Sequence, residues 1–400
     1  MQKIAILLLL CLFSIQNSMA QGEDIKQVVK DVNLKYAPDR RVEVFQVEVD
    51  MNGESPVIKG ETTSRAAYEE LIIKVKKINP SVKDSVRLLP DEVIGDKTVG
   101  VIYNSVGTIR FSPRYGSELV TQALFGTPVK IIDKRGGWLR VQTPDKYIGW
   151  INGSVEQMTQ EELDSYLSKT MIIVISNSIV AYEEADTDST PVSDLVIGNI
   201  LAVKSGSDDF FEVEYPDGRT GFVKKSDAVY AKEWLDNIAL TGESVVNEGY
   251  RFKGVPYLWG GTSAKGLDCS GFTKTVYFLH GIILARDASQ QVHQGVMVDS
   301  EGDFSKLLPG DLIFFGSKIA SDIAGYNKEP QERVVHVAIY IGDNHFLHAS
   351  DYIKINSLNP DDPLYDEFNT KRYLRAKRYI ENGEAVNVDK LNFKKYNNHD

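Results

Sequence analysis

The spacing of apolar and polar positions changes several times along this 400-residue chain, and each change marks a segment. Between Gln21 and Ile94 the run VEVFQVEVDMNGESPVIKG is rich in β-branched residues, and Asn52-Gly53 at its middle suits a hairpin turn. The following SRAAYEELIIKVKKINP places Ala67, Leu71, Val75 and Ile78 on one helical face and stops at Asn79-Pro80. The pattern predicts a small α+β domain over 21–95, with nothing in it that assigns a role.

Two later segments repeat each other. GTPVKIIDKRGGWLRVQTPDKYIGWI (Gly126 to Ile151) aligns without gaps on GNILAVKSGSDDFFEVEYPDGRTGFV (Gly198 to Val223) at a period of 72. Gly126/Gly198, Val141/Val213, Pro144/Pro216, Asp145/Asp217 and Gly149/Gly221 are identical, and Trp138/Phe210 and Trp150/Phe222 keep an aromatic. Each copy reads as short strands joined by polar turns, with Pro-Asp in a tight hairpin. Both resemble bacterial SH3-like barrels, predicted over 96–160 and 166–232. Between them TQEELDSYLSK opens with a capping box, Thr159 to Glu162, and predicts a connecting helix; a second linker helix is expected around AKEWLDNIALTG.

The last long segment, 233–385, reads as one domain: a helix, the stretch GVPYLWGGTSAKGLDCSGF, a second helix, then the strands GDLIFF, VVHVAIYIG and NHFLHAS. A polar tail over 386–400 closes the chain.

The first twenty residues have a different period altogether. A lysine, an apolar run from Ile4 to Ile15, and small residues at Ser18 and Ala20 make a secretory signal cleaved after Ala20. The run is short for a membrane span, and Leu10 stands where a lipoprotein signal ending at Cys11 needs a small residue. The expectation is an exported protein of the periplasm or cell envelope, with no transmembrane segment after cleavage. A formal charge of −11 argues against nucleic acid or an anionic membrane as partner.

Export changes the meaning of the cysteines. Cys11 leaves with the signal, so Cys269 cannot form an intramolecular disulfide and is either a buried hydrophobe or a working thiol. Its setting favours the second. Asp268 can cap a helix running from Cys269 to Gly281, which sets the thiol against unpaired N–H groups and the positive end of the helix dipole. That placement favours a thiolate and supplies donors for an oxyanion.

A thiol nucleophile needs a base, and the chain has six histidines. His280 suits a helix C-terminus, His293 falls on the next helix and His399 in the tail. His336 lies in a β-branched strand, where a lone histidine is usually a satisfied core residue. His345 and His348 are three apart on one strand and point to opposite faces; the pattern turns His348 inward with Phe346 and His345 outward. The resulting arrangement is Cys269 as nucleophile, His336 as base and His348 as its orienter. Metal chemistry is disfavoured, because neither Cys-x-x-Cys nor His-Glu-x-x-His occurs and His345 and His348 cannot chelate from one strand face.

YLWGG, LDCSGF, PGDLIFF, HVAIYIG and FLHAS, in that order, resemble the NlpC-type family of papain-like bacterial cell-wall cysteine endopeptidases, over about Leu235 to Tyr379. Tandem SH3-like repeats, with SELVTQALFG in the first and KINSLNPDDPLYDE near the end, look like its dipeptidyl-peptidase VI branch. Members of that branch cut γ-D-glutamyl to diamino-acid bonds in peptides freed from peptidoglycan. The resemblance implies a catalytic triad of Cys269, His336 and His348, with Tyr257 beside the thiol and the oxyanion. It also implies that Asp268 and Ser270 bind the substrate backbone and α-carboxylate, that Asp287 and Ser289 line the amino-terminal side, and that Glu118 and Tyr147 of the first barrel close that side. Each has a plainer reading: Glu118 a solvated residue, Tyr147 barrel core, Asp287 a helix cap, and Trp259 wall packing. Two features depart from the pattern, the additional Gln21 to Ile94 segment and the polar insertion SKIASDIAGYNKEPQERV before His336.

The expected fold is therefore α+β: a papain-like domain whose nucleophile helix packs on an antiparallel sheet, preceded by two SH3-like β-barrels and a small α+β domain. The expected activity is hydrolysis of a peptidoglycan stem peptide, L-Ala-γ-D-Glu-diamino acid (diaminopimelate), through a thioester, without metal or cofactor. The rivals are a non-catalytic wall-binding protein and an amidase or acyltransferase on the same fold.

Overall fold

The structure is a computed structural model that describes residues 21–52, 55–319 and 331–391. The export signal with Cys11, half of the Asn52-Gly53 turn, most of the polar insertion, and His399 lie outside the described residues. The chain divides into two compact units, one reaching Gly95 and including Ile131–Gln142, the other formed by Asp96–Lys130 and Thr143 onward.

In the first unit a helix over residues 21–36 precedes the antiparallel strands Phe45–Asp50 and Val57–Thr62. Helix Arg65–Ile78 then crosses to Lys83–Leu88, which pairs parallel to Val57–Thr62. Ser64 caps the helix by accepting from the Ala67 amide, and Ala67, Leu71 and Val75 are the face it buries. Together with Ile25, Val32 and Ile58 they form the core. Glu61 is nearly buried and accepts from Arg140 (2.6 Å), Arg135 (2.8 Å) and Arg87 (3.0 Å). Buried Asp133 takes further bonds from Arg87 and Arg135, so the acids of this cluster are matched by guanidinium donors.

The repeat carries through to the strands. Strands of the first barrel start at Val99, Val106, Leu119, Pro128, Trp138, Ile148 and Val155, and those of the second at Met171, Ser178, Pro191, Ile200, Phe210, Thr220 and Ala228. The first six pairs differ by 72 positions and the last by 73. The Pro-Asp turns also correspond: Thr143 N–H donates to Tyr147 O in one copy and Tyr215 N–H to Arg219 O in the other. In the second barrel the strand order is Pro191–Val196, Ser178–Tyr182, Thr220–Lys224, Phe210–Glu214, Ile200–Gly206, Met171–Val174, Ala228–Tyr230, closed over Ile172, Leu201, Phe211, Val213 and Val223. Gly126 and Gly198 begin the two repeats with φ of 83° and 85°. A Cβ on Gly126 would also lie 2.2 Å from the Ile200 carbonyl oxygen, so both backbone angle and space require glycine.

Helices Gln160–Leu167 and Ala231–Asp236 connect these parts, the first through the capping box of Thr159 and Glu162. The C-terminal domain is a six-stranded sheet in the order Val296–Asp299, Tyr373–Arg378, Leu312–Ile319, Gln331–Gly342, His345–Ala349, Ile353–Ser357, antiparallel throughout. Helix Cys269–Phe278 packs on it with Phe272 and Val276 fully buried against Val337, Ile339 and Leu347. Each such side chain stabilises the packing by about 1.5–3 kcal/mol. The architecture is thus the α+β arrangement expected, with two barrels and a small α+β domain ahead of a helix on an antiparallel sheet.

Gly126→Ala should destabilise the protein by about 1–2 kcal/mol from the left-handed backbone alone, with more from the clash at Ile200. Gly153 has φ of 60° and no neighbour near a Cβ, so Gly153→Ala should cost only the backbone part. Chemical unfolding of the two variants measures the difference, and equal losses would contradict the close approach.

Candidate active site

The Cys269 helix begins where the sequence places its cap. Asp268 is extended at φ −86°, ψ −178°, and its Oδ1 accepts from the Gly271 N–H at 2.7 Å. Its carboxylate does more than cap. Oδ1 also meets the Ser270 hydroxyl and Arg286 Nη1, and Oδ2 accepts from the Gly260 N–H at 2.9 Å and Arg286 Nη2 at 2.5 Å. Arg286 is 1% exposed, and Nη1 donates in addition to the Ser270 hydroxyl at 3.0 Å. Burial alone would lower the guanidinium's pKa, but the charge and hydrogen bonds of Asp268 outweigh it and keep the group charged. A buried ion pair therefore fixes the first turn of the helix to the loop before it.

That loop is held from the first barrel. Strand Leu119–Leu124 docks on it: Gln122 Oε1 accepts from Thr262 N–H (2.9 Å) and Ser263 Oγ (3.0 Å), and the Gln122 carbonyl from Thr262 Oγ1 (3.0 Å). Gly260 has φ of 79°, and a Cβ there would lie 2.3 Å from the Leu119 carbonyl oxygen. Here the double glycine of YLWGG has its physical cause. Glu118, just before that strand, is exposed, and its Oε1 accepts from Trp259 Nε1 at 2.7 Å. Trp259 is 63% exposed, so it faces outward from this loop and is not the wall packing that its plainer reading gave.

The other residues singled out in the sequence sit nearby. Tyr147 is buried, and its hydroxyl donates to Asp287 Oδ2 at 3.3 Å. Asp287 caps the short helix Ala288–Gln291 in a capping box with Gln290, and Ser289 is the second residue of that helix. Buried Gln291 ties this helix to the first turn of the nucleophile helix, donating to Ser270 O (3.0 Å) and accepting from Thr273 Oγ1 (2.8 Å). Tyr257 is partly buried; burial, then the neighbouring Cys269 and Asp268, raise its pKa.

Cys269 is 9% exposed, and its sulfur is close enough to the backbone N–H groups of Val337 and Ser270 for both to favour the thiolate. Burial, with Asp268 beside it, acts more strongly in the opposite sense and pushes the thiol up to about 12. The helix start was expected to favour the thiolate; desolvation outweighs it, and the free thiol rests neutral.

His336 stands one residue before Val337. Strand Gln331–Gly342 bulges just ahead of it: Phe315 pairs with His336 and Gly316 with Val334, leaving Val335 unpaired and 45% exposed. Burial lowers His336 to about 3, and the charge of a protonated His348 and that of Arg372 add to the effect. His336 Nε2 and His348 Nδ1 are 2.9 Å apart, and His348 Nε2 is 3.0 Å from Asn356 Oδ1. His348 is 1% exposed with its ring 5.0 Å from that of Phe346, whereas His345 points the other way to Asp362 at 3.0 Å. His280 Nδ1 donates to the Val276 carbonyl at 2.8 Å as a C-terminal cap.

The structure thus brings Cys269 beside the strand of His336 and His348, Glu118 beside Trp259, and Tyr147 beside Asp287. Arg286, Gln291 and Asn356 were not singled out from the sequence. The arginine left a trace there, as a charged residue between apolar Ile282–Ala285 and a helix cap, and Asn356 lies within KINSLNPDDPLYDE without a role of its own. Chemically, a neutral thiol at a helix start with a neutral imidazole chain beside it can attack a carbonyl, pass its proton to the chain, and stabilise the oxyanion with helix N–H groups.

Comparison with known proteins places two parts of the chain in families. Residues 254–378 match the NlpC/P60 family, and residues 109–154 match the bacterial dipeptidyl-peptidase Sh3 domain. The chain is 32% identical over 275 residues to the gamma-D-glutamyl-L-lysine dipeptidyl-peptidase of Bacillus cereus, covering 66% of this chain and 76% of that one. It is 26% identical over 275 residues to dipeptidyl-peptidase 6 of Lysinibacillus sphaericus, covering 66% and 93%. A crystal structure of an NlpC/P60 family protein from Bacillus cereus superposes with a TM-score of 0.59 at 26% identity, over 71% of this chain and all of that one.

Arg286→Met should leave the Asp268 carboxylate buried without its counter-charge and destabilise the protein by about 3–5 kcal/mol. Urea unfolding measures it. A loss below about 0.5 kcal/mol would show that the pair does not hold the helix start.

Proposed function

Because this chain belongs to the NlpC/P60 family of cysteine endopeptidases, we propose that it hydrolyses the γ-D-glutamyl to diamino-acid bond of L-Ala-γ-D-Glu-diamino acid peptides derived from peptidoglycan. The relatives named for γ-D-glutamyl-L-lysine bonds support the bond type. The observation that carries the substrate end is the docking of strand Leu119–Leu124 on residues 260–263, which sets Glu118 and Trp259 beside the loop leading to Cys269. A carboxylate there suits the ammonium of a free N-terminal alanine. An enzyme shaped in this way acts on released peptides, and its place is the cell envelope.

In the proposed reaction Cys269 Sγ attacks the γ-carbonyl carbon of D-Glu while its proton passes to His336. Helix N–H groups and Tyr257 stabilise the oxyanion. The tetrahedral intermediate collapses, the diamino acid's amine leaves with the proton from His336, and an acyl thioester remains. Water then attacks the thioester, giving its proton to His336; the C–S bond breaks, the Cys269 sulfur takes the proton back from His336, and L-Ala-γ-D-Glu departs. Both groups are neutral at rest, so proton transfer accompanies attack. Asp268 and Ser270 hold the α-carboxylate side through the backbone they fix, while Asp287, Ser289 and Tyr147 complete the amino side.

Acetylating the alanine amine removes the charge that Glu118 would hold, and kcat/KM should fall by about ten- to a hundredfold. Glu118→Gln should lower turnover of the free peptide and leave that of the acetylated peptide nearly unchanged. Equal rates of the wild type on both peptides would show an open cleft and a general wall endopeptidase.

A further inference from the structure

We infer that Asn356 is a positioning residue that fixes the tautomers of both histidines and so leaves His336 Nδ1 bare to accept the thiol proton. The inference rests on the Cys269–His336–His348 reading proposed above. Asn356 lies on strand Ile353–Ser357, and its Nδ2 donates to the Leu364 carbonyl oxygen at 3.0 Å. Turning the amide over would set two oxygens against each other there, so Oδ1 must face His348. An oxygen facing His348 Nε2 at 3.0 Å requires that nitrogen to carry a proton. A neutral His348 then has a bare Nδ1, which accepts from His336 Nε2–H at 2.9 Å. With its Nε2 protonated, neutral His336 has only Nδ1 left as base.

The groups around the two rings do not fix this arrangement without Asn356. His348 has Lys354 of the same strand as Asn356, Asp351 of the preceding turn, and Asp366 ahead of helix Glu367–Thr370 near it. His336 has His348 and Arg372. The acids favour a protonated His348, which could no longer accept from His336; Lys354, like burial, acts against it. The Asn356 hydrogen bond also favours a proton on His348, but the amide adds no charge of its own, and in the neutral ring it supports one tautomer.

Two substitutions separate this role from a structural one, because both lose the hydrogen bond to Leu364. Asn356→Leu removes the acceptor and frees the tautomers: kcat should fall about ten- to a hundredfold, with KM within about twofold of wild type. Asn356→Asp keeps an acceptor and adds a charge that raises the His348 pKa, so His348 becomes protonated below a higher pH. The acid limb of kcat should move up by about one unit or more, with activity recovering above it. The measurement is the pH profile of kcat and KM on the free tripeptide, with Cys269→Ala beside it. Asn356→Leu at wild-type kcat, or Asn356→Asp with an unshifted acid limb, would overturn the inference. If Asn356→Leu fails to fold, the Asn356→Asp profile decides alone. Turnover by Cys269→Ala would instead overturn the catalytic reading.

Discussion

The buried pair between Asp268 and Arg286 is the interaction on which the rest of the site depends. One carboxylate caps the Cys269 helix, holds the Gly260 amide and meets the Ser270 hydroxyl, while a guanidinium 1% exposed neutralises it. A carboxylate buried one residue from the nucleophile would oppose the thiolate more strongly without that cation. The pair therefore serves position and electrostatics together. It also sets where the loop from Trp259 to Ser263 can lie, and so where the first barrel can dock.

The proposed chemistry is one of neutral groups. Burial outweighs the donors that favour the Cys269 thiolate, and at His336 burial and the neighbouring positive charge of Arg372 act together against the imidazolium. Moving a proton between them creates two opposite charges that stabilise each other and are met by the helix N–H groups. In the proposed reaction the hydrogen-bonded chain from Asn356 through His348 to His336 gives that proton a defined place to go. The first barrel reaches this region through Glu118 against Trp259, Tyr147 against Asp287, and the strand behind Gly260.

Much of this was legible in the sequence because the signals are local. The 72-residue period, the Thr159 capping box and the apolar face of Arg65–Ile78 each depend on neighbours a few positions apart. Asp268 ahead of Cys269 announced a helix start, and strand parity separated His348 from His345. What stayed hidden arises only on folding. Arg286 meets Asp268 across 18 residues and Gln122 meets Thr262 across 140, and no spacing rule reaches that far. Asn356 lies in the quoted KINSLNPDDPLYDE, but only the fold shows the Leu364 carbonyl orienting its amide towards His348. The thiol shows the same limit: the helix start that favours the thiolate shows in sequence, whereas the burial that opposes it does not.

The most direct test of the account is hydrolysis of L-Ala-γ-D-Glu-diamino acid by Cys269→Ala, with its unfolding midpoint measured alongside. The substitution removes one atom group at a helix start, so the fold should persist while turnover falls by more than about a thousandfold. Turnover within tenfold of wild type by a folded variant would contradict a thiol nucleophile, and with it the whole assignment of this site.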